Sequence, residues 1–145
     1  MAELTAALKA KGDKASYGYG SPPALAAAEF YKSRTGVQAV GVAYKTSAAS
    51  LAEMYSGQLD FQFIDATFAT QQIRGGKLRG LAITSGQRST LWDLPTMADA
   101  TGIAEFDIAP FWGVFLPPKA PAAVVSRLKA WFNQIVASEI GRAHV

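Results

Sequence analysis

The stretch that decides the fold is Ala15-Ser-Tyr-Gly-Tyr-Gly-Ser-Pro-Pro-Ala-Leu-Ala-Ala-Ala-Glu29, continuing through Phe30 to Gly36. Ala15 to Tyr19 reads as a short strand. Gly18-Tyr-Gly20-Ser21-Pro22-Pro23 then turns the chain into an Ala-rich helix over Ala24–Arg34. Ser21 suits the N-cap, Pro22 the first helical position and Gly36 the C-terminal stop. The same alternation continues downstream. Val37 to Tyr44, with three valines, reads as a buried strand. Thr46 or Ser47 caps a second helix whose Ala48, Leu51, Ala52 and Tyr55 fall at i, i+3, i+4, i+7, and Gly57 ends it. Leu59–Ile64 reads as a third strand, Phe68–Arg74 as a third helix stopped by Gly75-Gly76, and Leu78–Thr84 as a fourth strand. Upstream, Leu4 to Lys11 is a short helix halted by Gly12-Asp13. Strand and helix alternate with short connections, which predicts an α/β protein with a mostly parallel, doubly wound sheet. Residues 85–110 are less regular. Phe111–Leu116 is an apolar strand candidate closed by Pro117-Pro118. Pro121 opens a last helix with Val124, Leu128, Trp131 and Ile135 on one face.

The 145 residues are half apolar and 17% charged, enough to bury a core and inconsistent with a disordered or fibrous chain. Fourteen Lys and Arg against eleven Asp and Glu give a net charge of +3. Those charges are scattered, so nucleic-acid binding gains no support. With no cysteine and one histidine, His144, the sequence lacks disulfides, thiolate metal sites and a cysteine nucleophile. A Ser-His-Asp arrangement would have to use His144 at the frayed end. Gly76-Lys77 lacks the flanking residues of a phosphate-binding P-loop. Asp60 and Asp65 form at most a carboxylate pair, and read more simply as strand-end or capping carboxylates. No catalytic residue, metal site or cofactor is expected. No apolar run is long enough to span a bilayer, and the opening Met1-Ala2-Glu3-Leu4-Thr5 has no basic or apolar leader pattern.

The candidate site is a set of three junctions at carboxyl ends of strands, where open α/β sheets bind ligands. The first is Gly20, Ser21 and Pro22. Glycines let the backbone turn its N–H groups inward, and a helix start carries partial positive charge, so a carboxylate or phosphate suits the place. It lacks the third glycine and following acidic residue of a dinucleotide fingerprint, and a plain tight turn with an N-cap is the simpler reading. The second junction is Tyr44, Lys45, Thr46 and Ser47. The third is Asp65, Ala66 and Thr67. Lys45 is a ligand group or a solvated charge; Tyr17, Tyr19 and Tyr44 line a cleft or cover the sheet.

Taken in order, Tyr17-Gly-Tyr-Gly-Ser-Pro-Pro23, Val42-Ala-Tyr-Lys-Thr46, Gly57-Gln-Leu-Asp60, Gly76-Lys-Leu-Arg-Gly-Leu-Ala-Ile-Thr-Ser85, Leu94-Pro-Thr96 and Trp112-Gly-Val-Phe-Leu-Pro117 resemble the Bug, or TctC-like, family of periplasmic solute-binding proteins, across roughly residues 3–138. The resemblance implies a two-domain, type II periplasmic-binding-protein fold that closes around a small carboxylate. It also implies a periplasmic location, delivery to the membrane permease of a tripartite tricarboxylate transporter, and a monomeric full-length protein. On this reading the chain is a partial one. Residues 13–84, preceded by the helix 3–11, form the core of the second ligand-binding domain. Residues 85–138 complete it and return toward an incomplete first domain. Glu139–Val145 matches an in-frame translation of a common sequencing adapter and is expected to be a non-native tail. The sequence departs from the family pattern at Ala24, where a His is frequent, at Ala43-Tyr44-Lys45-Thr46 for Pro-Tyr-Lys-Gly, and at Ile64-Asp65 for Asp-Asn. These departures bear on which ligand is held. The alternative readings are an α/β enzyme domain binding a phosphate or acyl group at the same loops, and a LysR-type effector-binding domain.

Overall fold

The structure, a computed structural model, describes residues 1–89, 92–110 and 113–138. It divides into two compact units, residues 1–110 and 111–145.

The first unit opens with α1 (Ala2–Lys11), which carries Glu3 in its first turn and Lys9 and Lys11 in its last, each complementing the helix dipole. A 3-10 turn, Gly12–Lys14, leads into β1 (Ala15–Tyr19). Next come α2 (Pro22–Thr35), β2 (Ala39–Ala43), α3 (Leu51–Tyr55), β3 (Phe61–Gln62), α4 (Ala66–Arg74) and α5 (Met97–Thr101). The strands form one sheet in the order β2-β1-β3, and both pairings are parallel. The α/β class and the parallel sheet agree with the sequence reading.

β1 is the central strand, and its two faces differ. Ala15 and Tyr17 are buried in a core shared with Leu8 of α1 and Ala27, Ala28 and Tyr31 of α2. On α2 the buried residues Ala24, Ala27, Ala28 and Tyr31 recur at helical spacing, which is why an Ala-rich helix lies close to the sheet. An aromatic cluster runs through this core. Tyr17 stacks on Phe61 at 5.3 Å, Tyr31 meets Phe61 edge-on at 5.7 Å, and Phe63 stacks on Phe106 at 6.1 Å. Gly18 faces the other way. A Cβ there would lie 2.8 Å from Leu59 Cδ1 and 3.1 Å from Ser50 Cβ, so the α3 segment packs directly on the bare backbone.

Several elements are shorter than their patterning predicts, β2 among them, which keeps Ala39–Ala43 of the expected Val37–Tyr44. The chain turns through residues 46–50, and α3 begins only at Leu51. The Ser47 carbonyl, which would accept from the Leu51 N–H in a helix, is engaged by the Ser50 hydroxyl instead; Leu51 N–H bonds the Ala48 carbonyl. β3 keeps two residues of the expected Leu59–Ile64, and ahead of it the Leu59 N–H is held by the Glu53 carbonyl of α3. Leu78–Thr84 adds no strand to the sheet. Ile83 N–H bonds the Pro95 carbonyl, Met97 N–H bonds Ile83, and Ile108 N–H bonds Thr84, leaving one isolated bridge, Ile83 to Thr96. Helix α5 arises where the sequence looked irregular. Thr96 Oγ1 accepts from Asp99 N–H at 3.0 Å and Gly102 closes the helix at φ 76°, so the Thr-x-x-Asp…Gly signal was present but short.

In the second unit the described residues are 113–138. Phe111 and Trp112 of the expected strand lie outside them, as does 139–145, and Gly113–Leu116 carries no strand. Helix α6 (Ala122–Ala137) forms as predicted, but none of its residues is buried. Val124, Trp131, Phe132, Ile135 and Val136 are all at least 40% exposed, and Phe115 is 83% exposed. Exposed apolar side chains of this kind bind apolar dyes. The chain is expected to enhance anilinonaphthalene sulfonate fluorescence, and Trp131→Glu with Ile135→Glu should remove most of that signal. Unchanged fluorescence in the double variant would place the dye elsewhere.

Candidate functional site

The first two junctions meet at Gly20. A Cβ on Gly20 would stand 2.3 Å from Ser47 N and 2.3 Å from the Thr46 carbonyl carbon. No side chain fits there, so glycine permits the two loops to touch backbone to backbone. Tyr44 N–H bonds the Tyr19 carbonyl at 2.9 Å and sets the register of this contact. Gly20, Ser21, Thr46 and Ser47 therefore share one rim at the carboxyl ends of β1 and β2.

What this rim can donate follows from the sequence. Ser21 is the N-cap of α2 in extended conformation, and its side chain makes no capping bond. Pro22 and Pro23 fill the first two helical positions and have no N–H, so the first amide that α2 offers belongs to Ala24. Among the described residues nothing accepts from the Ser21 hydroxyl, the Ala24 N–H, the Ser47 N–H or the Ala48 N–H. Lys45 and Thr46 are exposed beside them. The arrangement is a donor-rich rim suited to an acceptor such as a carboxylate.

Other expected site residues have partners of their own. The Tyr44 ring lies against Gly18, with Cε2 3.3 Å from the position of an added Cβ, and its hydroxyl donates to Glu53 Oε2 at 2.6 Å. Of the two readings open for Tyr44, this geometry is that of a ring covering the sheet. Asp65 caps α4: its Oδ1 accepts from Thr67 N–H at 3.0 Å and Phe68 N–H at 3.4 Å. The carboxylate thus occupies the place an incoming anion would take, and Ala66 and Thr67 lie in the turn it closes. Asp60 is at the other end of β3, where it accepts from Ser16 N–H at 3.0 Å and pairs with Lys11. The two aspartates serve as a strand-end acceptor and a helix cap. A concavity of about 330 Å³ lined by Leu4, Met54, Asp60 and Arg79 lies at that amino-terminal end, away from the rim. Among the described residues no cluster of His, Cys, Asp or Glu could hold a metal ion.

Two residues that shape the rim were not singled out from the sequence. Ser50 is completely buried, and its hydroxyl lies 2.8 Å from both the Ser47 carbonyl and Gln62 Oε1. Gln62 Nε2 donates to the same Ser47 carbonyl at 3.3 Å. Each side chain alone reads as an ordinary polar residue. Only the pairing of β3 with β1 brings them together.

Three tyrosines hold their protons more tightly in the fold than free tyrosine does. Burial, then the hydrogen bond to Glu29, pushes Tyr17 up; burial raises Tyr31. The hydrogen bond to Glu53 takes Tyr44 up to about 12. A phenol whose folded pKa exceeds its unfolded value of about 10 contributes stability that is intact below pH 10 and lost as pH rises through the folded value. Urea midpoints should therefore fall between about pH 10 and 12. Tyr44→Phe should flatten that decline, and an unaltered slope would remove Tyr44 from the account.

Comparison with solved structures defines the class. The chain superposes on the Rhodopseudomonas palustris protein Rpa4515, solved with adipate, with a TM-score of 0.88 at 26% identity, over 97% of this chain and 48% of that one. It matches periplasmic binding protein BugD with a TM-score of 0.85 at 27% identity, over 99% and 49% of the two chains. The architecture is that of a periplasmic binding protein. A family model, the tripartite tricarboxylate transporter family receptor, matches residues 1–139, and the chain belongs to that TctC family. Among curated relatives, the protein encoded in the tcbD-tcbE intergenic region of Pseudomonas sp. (strain P51) is 33% identical over 86% of this chain and 37% of its own length. Protein BugT of Bordetella pertussis is 30% identical over 77% of this chain and 34% of its own. The chain thus spans little more than a third of these relatives and about half of the solved neighbours. Both the family and its solved neighbours are solute-binding proteins rather than enzymes. Among the described residues no helix is long and apolar enough to cross a membrane.

Proposed function

We propose that this chain forms one wall of a periplasmic site for a small carboxylate, and that the protein delivers its ligand to the permease of a tripartite tricarboxylate transporter. The observation that carries the reading is the backbone contact of Gly20 with Thr46–Ser47. It gathers the Ser21 hydroxyl and the Ala24, Ser47 and Ala48 amides into one set of donors that have no acceptor among the described residues. A carboxylate is an acceptor-only group when ionised, and it matches such a rim without covalent chemistry. The adipate in the related Rpa4515 structure supports the same ligand class. Binding requires desolvation, hydrogen bonds and closure against a second wall, so a chain carrying one wall binds weakly.

Equilibrium dialysis with adipate at up to tens of millimolar, against inorganic phosphate and hexane-1,6-diol, tests this. Adipate should bind and the diol should not. Ser21→Ala should weaken adipate binding by about 1 kcal/mol, roughly fivefold. A preference for phosphate would favour the enzyme-domain alternative. Unchanged adipate affinity in Ser21→Ala would remove this helix start from the site.

A further inference from the structure

We propose that Ser50 and Gln62 are positioning residues for the carboxylate rim, holding the Ser47 carbonyl inward so that the Ala48 N–H is presented to the ligand. This inference rests on the carboxylate reading of the rim. The Ser47 carbonyl lies 2.8 Å from the Ser50 hydroxyl and 3.3 Å from Gln62 Nε2, and Ser50 has no solvent exposure. Among the described residues every peptide bond is trans, so across the planar Ser47–Ala48 bond the N–H points opposite to the C=O. A carbonyl drawn toward Ser50 and β3 therefore aims the Ala48 N–H away from the sheet, at an exposed residue beside Gly20 and Ser47.

The hydrogen-bond inventory explains why two side chains are needed. A hydroxyl has one proton, and Ser50 Oγ stands 2.8 Å from two acceptors, the Ser47 carbonyl and Gln62 Oε1. When the proton goes to Gln62, the Gln62 amide nitrogen still holds the Ser47 carbonyl. With the Gln62 amide turned the other way, two carbonyl oxygens would face each other, so the triangle itself selects the observed orientation. The Ser50 hydroxyl engages the Ser47 carbonyl, the Leu51 N–H bonds the Ala48 carbonyl in its place, and α3 starts at Leu51. Gly18 completes the device, since a side chain there would strike Ser50 Cβ.

The test uses the 145-residue chain, adipate dialysis, thermal melting and residue-resolved hydrogen exchange with and without adipate. In the wild type, adipate should slow exchange of the Ala48 amide and of the Ala24 amide. In Gln62→Met, which replaces a half-buried side chain by an apolar one of similar length, the melting temperature should stay close to wild type. The Ser50 hydroxyl then keeps the Ser47 carbonyl as its acceptor, so the adipate effect at Ala48 should weaken but remain. In the double variant Ser50→Ala with Gln62→Met neither donor is left: the adipate effect at Ala48 should vanish, the effect at Ala24 should persist, and affinity should drop about tenfold. If the double variant melts too early to bind, Ser50→Ala, which leaves only the 3.3 Å bond from Gln62, should lose part of the Ala48 effect, and an unchanged effect there would count against positioning. Retained affinity and retained protection at Ala48 in the double variant would overturn the positioning role while leaving the carboxylate reading intact. Absence of adipate protection at both amides in the wild type would overturn the carboxylate reading, and this inference with it.

Discussion

Tyr31→Ala is expected to lower the unfolding free energy by about 3–5 kcal/mol, the cost of removing a large buried ring. Tyr31 has no exposed surface and joins three elements at once. Its ring meets Phe61 of β3 at 5.7 Å and Phe63 at 6.4 Å, and its hydroxyl lies 2.6 Å from Thr5 Oγ1 on α1. The Thr5 hydroxyl gives its proton to the Met1 carbonyl at 3.1 Å, so the tyrosine is the donor in that pair. Truncation leaves a cavity where helix, helix and sheet converge, and the surrounding rings cannot close it without leaving their edge-on geometry. Since domains of this size are stable by only about 5–15 kcal/mol, the variant should lose a large share of its stability and melt at a markedly lower temperature. Tyr31→Phe keeps the ring and loses one hydrogen bond, so it should cost only about 1 kcal/mol. Urea denaturation of both variants checks the ratio. Equal costs would mean that the hydroxyl, not ring packing, secures α1 to α2.

The second large effect is expected at Gly20. Gly20→Val should cost about 3 kcal/mol of stability, because the nearest atoms to the new side chain are backbone and cannot swing aside. A Cβ 2.3 Å from Ser47 N forces the two loops apart. The rim's donors then no longer converge, and adipate binding should fall below detection even at temperatures where the variant remains folded. Gly36→Ala is the matched control. Its φ of 71° makes alanine strained, but a Cβ there meets nothing within 4 Å, and the site is remote from the rim. That variant should lose about 1 kcal/mol of stability and keep its binding. Gly20→Val with normal adipate affinity would show that the contact between the two junctions is not part of the site.

The family was legible in the ordered set of short motifs, and the family model over residues 1–139 agrees with it. The finer assignments separate by the physics of each residue. Ser21 was legible as an N-cap because its place between a Gly-x-Gly turn and two prolines is a local arrangement, and its side chain makes no capping bond. Asp65 was legible as either a site group or a cap, and its bonds to Thr67 and Phe68 are those of a cap. Tyr44 reads as a site residue whose ring lines a cleft or covers the sheet, and in the fold its hydroxyl bonds Glu53, nine residues away on α3. No local rule connects those two positions.

The sequence by itself determined the alternation of strand and helix, the caps and stops at Pro22 and Gly36, and the apolar patterning of α6. These depend on φ restrictions and side-chain periodicity within a few residues of each position. Only the tertiary structure decided where elements stop and which polar groups remain available. Leu78–Thr84 has a strand's composition, yet the Ile83 N–H bonds the Pro95 carbonyl and the Thr84 carbonyl accepts from Ile108 N–H, so neither pairs with the sheet. Residues 46–50 have a helix start's composition, yet Ser50 and Gln62 capture the Ser47 carbonyl and keep the segment open. In both places a hydrogen-bonding group had a local and a distant partner within reach, and only the assembled sheet determined which one was made.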